Sequence, residues 1–563
     1  MEMQNLRSSA RQTTSLQIPL FLVILIAVVC TMAGLGSHGV LNNNEGLYAE
    51  IAREMLNSGD WHHWVIPHLN GLLYMEKPPL LYWLTALMFA LFGQSDYVVR
   101  LIPSLSSLAC VAVMLYLGKR INRPQTARLA AIIFISGVGI MLMSHTLMFD
   151  MLVTACLTSS VIFSYLFERD GQFRDLRIAA VCLGLALLAK GLIAIALFGL
   201  IIVAWLVVMH RLAVMKRLAH WMDLRAIILF LLIAAPWHIA ASLIESSFAW
   251  FYFINEHVHR FMGRRFPNDY YRGHWWYYLP RMFIFLFPWS FAIPAIFTIK
   301  PVAPDDQSAE DVKLLFGLAW VIALVFFSSS SAKANYYMVI VMPFAAFHLA
   351  LLLESRDFLT GKANMILGGL VALVAAGAAL ALHFSAVPSE NPLQLMGLPW
   401  RQFAVVALGC AAILSVLAAL VAWRKPKVGI VAYAILPVYI LVLLLNVVGA
   451  MEGFVTAAPI ARFIQHDMPD RPVYLYRLFE QNSSLPFYLK KSVFVIDSRS
   501  NDLYWGNKLE PLNTVMVSQG LFAAITTPVI VVVPDSYLEE FTTNRLQERF
   551  TSHRHFGKNT VFY

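Results

Sequence analysis

Long runs of apolar residues, separated by short polar segments, recur along the chain from Ile18 to Val448. A hydrocarbon core of about 30 Å needs roughly 20 apolar residues per helix, and most of these runs approach that length. The pattern therefore predicts an α-helical polytopic membrane protein with about 13 transmembrane helices. The predicted spans lie near residues 18–37, 101–118, 127–143, 149–167, 176–190, 191–209, 225–243, 279–298, 313–328, 337–354, 365–384, 402–422 and 427–448.

The basic residues of the polar segments predict how these spans are oriented. With the N-terminus in the cytoplasm, the inside loops carry most of the Lys and Arg residues. The outside then receives the loops 37–100 and 245–278, a short loop at 328–336, and everything after Val448. The apolar run Leu80 to Phe92 is short and follows two prolines, so we interpret it as a helix lying in the interface. Counting it as a span would place the basic loops outside.

After Val448 the hydropathy falls and strand-like runs appear at 473–476, 493–496, 529–533 and 560–563, with a helical stretch at 537–550. This pattern predicts an α/β domain of about 110 residues, large enough to fold alone. The chain is thus expected to comprise a transmembrane domain, 1–448, and an outer soluble domain, 449–563.

Composition supports this class. Hydrophobic residues make up 59% of the chain and charged residues 13%, against about 45–50% and about 25% in an ordinary soluble protein. The net charge of +9 lies largely in the loops that the orientation places inside, which indicates the lipid bilayer, and not nucleic acid, as the partner. The five cysteines all fall within apolar runs, which does not indicate a disulfide framework.

Four residues in the outer segments or at the outer ends of spans are candidates for chemistry. Glu45 stands at the start of a probable helix, where a carboxylate either interacts with the helix N-terminus or serves a site. Lys77 precedes two prolines, and it either extends towards lipid headgroups or offers a rigidly held cation to a lipid phosphate. Asp150 begins an apolar span, where an ionisable residue is costly and is a functional candidate by default. Tyr337 is either an interfacial anchor or part of the same site.

The 245–278 loop carries a second group of candidates. Glu256, His259 and Arg260 are spaced at i, i+3 and i+4, so an α-helix would place them on one face and turn His257 elsewhere. Arg260 can offer a planar fork to phosphate oxygens. His257 is a candidate metal ligand if Glu76 lies near it in space.

Taken in order, these motifs resemble those of the lipid A aminoarabinose transferases, which belong to the GT-C class together with the protein O-mannosyltransferases. The most distinctive element is Glu-Lys-Pro-Pro-Leu-x-Tyr-Trp, from Glu76 to Trp83. The others are Asp150 at a helix start, Leu-Ala-Lys-Gly at 188–191, Glu-His-x-x-Arg-Phe at 256–261 and Ser-x-Lys-x-x-x-Tyr at 331–337. The resemblance covers the whole chain, including the periplasmic α/β tail.

The resemblance implies transfer of a sugar, 4-amino-4-deoxy-L-arabinose or a similar one, from undecaprenyl phosphate to lipid A at the periplasmic face of the bacterial inner membrane. In that family Lys, Arg and Tyr hold the carrier phosphate, which implies this role for Lys77, Arg260 and Tyr337. A divalent metal, Zn or Mg/Mn, is associated with a Glu and a His, which implies Glu76 and His257 as its ligands.

One motif departs from the family. Its first outer motif reads Asp-Glu-x-Arg-Tyr, whereas this chain has Asn44, Glu45, Gly46, Leu47 and Tyr48. The amide at Asn44 cannot ionise, so either Glu45 or Asp150 takes the carboxylate role, or the acceptor and the sugar differ. An acceptor hydroxyl would need such a base, whereas an acceptor phosphate is already anionic and needs only to be positioned.

Two alternatives remain at this level. A GT-C transferase could act on a protein or polysaccharide acceptor, and a secondary transporter could use Asp150 and Lys190 as an ion path. Geometry separates these classes. A transporter would place Asp150 and Lys190 along a cavity at the midplane, whereas a transferase would bring Glu45, Lys77, Asp150 and Arg260 to one outer cavity.

Overall fold

The computed structural model describes residues 18–268, 271–293, 307–354, 362–384, 394–395, 397–424 and 426–563. Most of these residues are helical, as the apolar runs predict. The long or apolar helices are Leu20–Met32, Asn44–Asn57, Leu80–Phe92, Leu101–Arg120, Pro124–Ile135, Val138–Ser144, Phe149–Asp170, Phe173–Lys190, Leu192–His210, Leu224–Ile244, Tyr278–Phe285, Gln307–Ser329, Met342–Glu354, Lys362–Phe384, Trp400–Arg424 and Pro426–Ala450. The polytopic helical membrane class is confirmed.

Within the described residues, eight helices are long and apolar enough to cross a bilayer, and one bent helix pair would make a ninth. Each predicted span overlaps helical segments among the described residues, although residues 294–298 of the span predicted at 279–298 lie outside them. Some of these helices fall short of a full crossing. Leu20–Met32 has only 13 residues, and Phe173–Lys190 carries charges near both ends. The exact number of spans stays a prediction.

The predicted span 127–143 is broken in the structure. Pro124–Ile135 and Val138–Ser144 meet at an angle of 68°. The amide of Val138 donates to the Phe287 carbonyl at 2.9 Å, outside the helix, so the regular hydrogen-bond series is interrupted there. A Cβ on Gly139 would lie 2.1 Å from a ring carbon of Phe285, so only glycine allows this close approach.

Helix Leu80–Phe92 has 13 residues and is therefore about 20 Å long at about 1.5 Å per residue. That is shorter than the hydrocarbon core, as an interfacial helix should be. It packs on helix Asn44–Asn57 of the same outer loop. Two short hairpins are formed by β1 (His68–Leu69) with β2 (Leu72–Leu73) and by β5 (Gln394–Leu395) with β6 (Leu398–Pro399). Strands β3 (Tyr271–Arg272) and β4 (Ala332–Lys333) pair two separate loops.

The C-terminal domain contains a six-stranded sheet in the order β11-β12-β10-β7-β8-β9. Its strands are β7 (Val473–Tyr476), β8 (Phe494–Ile496), β9 (Met516–Val517), β10 (Ile530–Pro534), β11 (His553–Phe556) and β12 (Asn559–Phe562). Strands β10, β7, β8 and β9 are parallel, and β12 and β11 extend the sheet antiparallel. The four predicted strands are present; β9 and β11 were missed because they are short or polar. The predicted helix at 537–550 ends at Thr543, near Arg545, whose φ is 56°.

This domain is fastened to the outer loop that follows the first helix. Ser484 donates its hydroxyl to the Asn42 side chain at 2.7 Å. The Asn70 side chain exchanges two hydrogen bonds with the backbone of Val493. Helix Pro426–Ala450 ends two residues beyond the predicted boundary at 448. The domain therefore packs on the 37–100 loop.

Candidate active site

A polar cavity of about 90 Å³ lies where the outer loops meet the ends of several helices. It is lined by Tyr48, Glu76, Lys77, Met148, Phe149, Asp150, Lys190, Ile193, Glu256, His257, Arg260, Tyr336 and Tyr337. Six of the seven residues singled out from the sequence line this cavity. The exception is Glu45.

Lys77 is held against acidic partners just before the start of helix Leu80–Phe92. Its Nζ lies 3.4 Å from Oε2 of Glu256 and 3.8 Å from Oε2 of Glu76. The following prolines lead directly into helix Leu80–Phe92, which fixes the backbone on which Lys77 stands. Its side chain remains 19% exposed, so the ammonium can reach a ligand in the cavity.

The segment Trp250–His259 is a π-helix, a form often found at functional sites. Glu256 accepts from Arg260 at 3.1 Å, as the i, i+4 spacing predicted. The prediction that His257 would point elsewhere is wrong: the wider turn of the π-helix brings it to the same cavity. His259 instead lies edge-on to the ring of Trp250.

Glu256 and Arg265 were not assigned a role from the sequence. Oε1 of Glu256 pairs with Nε of Arg265, and Nη2 of Arg265 lies 2.8 Å from Oε1 of Glu76. Burial by itself raises the pKa of Glu256, but Arg265, Lys77 and Arg260 hold this pKa below its ordinary value. The adjacent arginines at 264 and 265 were a visible signal, yet nothing in the sequence showed that only the second is buried.

Asp150 forms an ion pair with Nζ of Lys190. Asp150 is the second residue of helix Phe149–Asp170, and Lys190 is the last residue of helix Phe173–Lys190. Lys190 also stands over the rings of Tyr337 and Tyr336, at 5.0 and 5.5 Å from their centroids. Both charged groups therefore belong to the outer cavity and not to a path at midspan.

The cationic side chains of this cluster outnumber the carboxylates. Lys77, Lys190, Arg260 and Arg265 face three carboxylates, so the cluster carries one positive charge in excess. The carboxylates are those of Glu76, Asp150 and Glu256. An anion such as a phosphate would balance the excess charge of these seven side chains, and three of the cations, Lys77, Lys190 and Arg260, line the cavity itself.

The structure corrects the place given to Glu45. Its carboxylate is 1% exposed and receives two hydrogen bonds from Arg100, at 2.9 and 2.8 Å. The amides of Leu41 and Leu147 donate to the same two oxygens, at 2.7 and 2.9 Å. Each oxygen thus has two donors, and Glu45 does not line the cavity. Its geometry is that of a structural ion pair that joins the outer loop to the transmembrane helices.

We expect Glu45→Gln to reduce stability and to leave the folded protein competent. Burial raises the pKa of Glu45, but the charge and hydrogen bonds of Arg100 lower it below the ordinary 4.5. Its stabilising contribution is therefore present above about pH 4.5 and is lost as the pH falls below that value. Removing one partner of a buried ion pair costs about 3 kcal/mol or more.

Thermal unfolding in detergent at neutral pH would measure the loss. Glu54→Gln is the matched control on the same helix, because burial and Glu50 raise the pKa of Glu54 well above its ordinary value. An amide therefore resembles the protonated form of Glu54 more closely. A Glu45→Gln protein with unchanged unfolding temperature and no activity would instead support the catalytic role.

The predicted metal pair does not fit the geometry. Nδ1 of His257 donates to the Tyr252 carbonyl at 2.6 Å, so Nε2 is the acceptor, and it already receives the amide of Leu192 at 3.1 Å. Burial is the main cause that lowers the pKa of His257. Glu76 faces Arg265 on one oxygen and Tyr74 on the other, at 3.4 Å. Among the described residues, no three His, Cys, Asp or Glu side chains form a group that could hold a metal.

An apolar groove of about 490 Å³ adjoins the polar cavity. The two share Ile193, Glu256, His257, Arg260 and Tyr337 in their linings. The remaining lining is almost entirely apolar and includes Leu192, Ala196, Phe261, Met262, Phe326 and Phe327. A ligand with an anionic head and a long hydrocarbon tail matches both parts.

Known proteins share this architecture. A family model described as dolichyl-phosphate-mannose-protein mannosyltransferase matches residues 76–239. The crystal structure of ArnT from Cupriavidus metallidurans bound to undecaprenyl phosphate has a TM-score of 0.79 at 25% identity, covering 96% of this chain and 97% of that chain. The chain therefore has a GT-C type of fold and resembles the aminoarabinose transferases.

Curated relatives carry the same name. An undecaprenyl phosphate-alpha-4-amino-4-deoxy-L-arabinose arabinosyl transferase of Aeromonas salmonicida is 30% identical over 343 residues, 59% of this chain and 60% of the relative. Transferase 1 of Pseudomonas fluorescens is 28% identical, with 80% of this chain and 75% of the relative covered. The alignment to the first relative thus spans about three fifths of its length. The range matched by the family model contains Lys77, Asp150 and Lys190 and ends before Glu256.

Proposed function

We propose that this protein moves 4-amino-4-deoxy-L-arabinose, or a similar sugar, from undecaprenyl phosphate to lipid A. The observation that carries the proposal is a cavity lined by Lys77, Lys190 and Arg260 that continues into an apolar groove. A polyprenyl phosphate has the shape and charge that these two spaces require. The relatives named as arabinosyl transferases and the undecaprenyl phosphate in the ArnT crystal support this donor.

The leaving group of such a reaction is the carrier phosphate. As the bond between the sugar and the phosphate breaks, negative charge grows on the phosphate oxygens. Lys77 and Arg260 would stabilise that charge as preorganised cations, because neither needs to move far into the cavity. Arg260 can bind two oxygens through its planar fork, Lys77 supplies a point charge, and the Tyr337 hydroxyl is proposed to donate to the same phosphate.

Asp150 is proposed as the carboxylate that faces the acceptor. If the acceptor is a phosphate of lipid A, it is already anionic, so no proton has to be removed and the attack depends on positioning. If it is a hydroxyl, Asp150 can accept the proton. Lys190 keeps the buried carboxylate paired before the acceptor arrives.

The active site is proposed to face the periplasm from the inner membrane. The loops on the cavity side are those to which the distribution of Lys and Arg assigns an outside location. The C-terminal domain contacts the 245–278 loop, where Trp505 Nε1 donates to the Phe266 carbonyl at 2.9 Å. Lipid A and a lipid-linked donor can both approach such a cavity from the outer leaflet.

The transporter alternative is less consistent with the geometry. Lys77, Asp150 and Arg260 line one cavity at the outer helix ends, which is the arrangement expected of a transferase. A protein or polysaccharide acceptor is not favoured by any contact described above.

Mass spectrometry of lipid A tests the acceptor directly. In cells that express the protein, we expect lipid A species heavier by one sugar residue, and we expect them to vanish when the gene is deleted. A purified protein supplied with undecaprenyl-phosphate sugar and lipid A should give the same product. Unchanged lipid A, together with a glycosylated protein or polysaccharide, would assign the alternative acceptor instead.

A further inference from the structure

Arg265 lies where the resemblance places a divalent metal. Its side chain is fully buried, with 0% exposure. Nη2 is 2.8 Å from Oε1 of Glu76, Nε pairs with Oε1 of Glu256, and Nη1 donates to the Pro267 carbonyl at 2.9 Å. One guanidinium therefore bridges two carboxylates that come from different outer loops.

We infer that Arg265 is the resident cation of this site, holding Glu76 and Glu256 in the way a metal ion would, and that it positions Lys77 and Arg260 for the donor phosphate without a metal. The inference rests on the proposed function for the identity of that phosphate. Arg265 is a positioning residue in this account, because Lys77 and Arg260 are the groups that would touch the ligand.

The two oxygens of Glu256 contact different cations. Oε1 faces Arg265, whereas Oε2 faces both Lys77 Nζ at 3.4 Å and Arg260 Nη1 at 3.1 Å. A guanidinium that is itself fixed by Glu76 and a backbone carbonyl sets the rotation of this carboxylate. The carboxylate then sets the distance between the two phosphate-binding cations. Without Arg265, the Glu256 carboxylate could rotate. The buried carboxylates of Glu76 and Glu256 would also lose the cation that now separates them.

The oxygen and nitrogen atoms of Glu76, Glu256 and His257 do not suit a metal while Arg265 is present. A divalent ion needs ligand lone pairs directed at it, yet Oε1 of Glu76 and Oε1 of Glu256 are directed at the guanidinium. Nε2 of His257 faces the amide of Leu192. When the guanidinium is removed, the same two oxygens become free to bind a cation supplied from solution.

The experiment measures the affinity of the purified full chain for undecaprenyl phosphate in detergent, without acceptor, before and after EDTA treatment. We expect the wild-type Kd to be unchanged by EDTA and the metal content, measured by mass spectrometry, to be below one ion per chain. Arg265→Ala should bind at least tenfold more weakly, and Arg265→Lys should lie between the two. Guanidinium ion or Mn²⁺ should restore binding to Arg265→Ala, which loss of folding alone would not allow.

Arg264→Ala is the matched control, because Arg264 is the exposed neighbour in the same loop and carries the same charge. Its Kd should stay at the wild-type value. If Arg265→Ala is not recovered folded, the EDTA comparison and Arg265→Lys carry the test.

Two results would overturn the inference. One is a wild-type chain that holds one divalent ion and loses affinity when that ion is removed. The other is a folded Arg265→Ala or Arg265→Lys protein with the wild-type Kd. If the wild type does not bind undecaprenyl phosphate, the proposed function fails. The role of Arg265 as the resident cation is then decided by titration with Mn²⁺, which should bind to Arg265→Ala and not to the wild type.

Discussion

Lys77→Ala should reduce sugar transfer by roughly 10²–10³-fold, the loss typical when one preorganised charge-stabilising group is removed. The ammonium is the partly exposed cation of the cavity that lies between Glu76 and Glu256 and can still reach a phosphate. Without it, the growing charge on the leaving phosphate would be opposed by those two carboxylates. An in vitro assay with undecaprenyl-phosphate sugar measures the rate.

The matched control for this variant is Lys491→Ala in the C-terminal domain. Lys491 is exposed, and its ammonium donates to the Pro469 carbonyl at 3.2 Å in the described part of the chain. Its removal should leave the rate unchanged. Normal turnover by a well-expressed Lys77→Ala protein would refute the phosphate role of Lys77 and, with it, the orientation of the donor.

Asp150→Asn should lower transfer by about 10²–10⁴-fold, the range typical of a positioned acid or base. The amide keeps the size of the side chain but can neither accept a proton nor balance the charge of Lys190. The unpaired ammonium would then compete for the anionic donor in the cavity. We expect the loss in the chemical step, with the affinity for undecaprenyl phosphate retained or increased.

Asp175→Asn is the control on helix Phe173–Lys190. Asp175 lies at the end of this helix opposite to Lys190 and pairs with Arg120 of helix Leu101–Arg120 at 3.1 Å. The same chemical change there should leave transfer intact and affect at most stability. Full activity of Asp150→Asn would show that the reaction does not need this carboxylate. The acceptor would then be a group, such as a phosphate, that is already anionic.

Much of the fold follows from side-chain hydrophobicity, which acts over short stretches of sequence. Apolar runs of span length became helices because a backbone in lipid must bond within itself. The break at Ser136 and Gly137 was not visible in the same run, since it depends on a carbonyl from Phe287, about 150 residues away. Strands β9 and β11 were missed for a similar reason: their partners, not their composition, make them strands.

The site shows the same division. Lys77, Asp150, Arg260 and Tyr337 were predicted to meet, and they line one cavity. Glu45 was predicted to join them but is paired with Arg100, which stands 55 residues further along the chain. Lys190 had been noted within a motif and in the ion path of the transporter alternative, and Arg265 had not been singled out. Their roles depend on the carboxylates that they meet in three dimensions.

The sequence by itself therefore determined the class of the protein and most of the residue types at the cavity, and it predicted the side of the membrane on which the polar residues gather. Hydropathy and the distribution of charge are properties of local segments, so they can be read without a fold. The tertiary structure alone decided which charges neutralise one another. Arg100 pairs with Glu45 away from the cavity, and Lys190 pairs with Asp150 within it. Arg265 occupies the place expected for a metal. An ion pair exists only where two side chains from distant segments approach within a few ångströms, and that distance is set by packing.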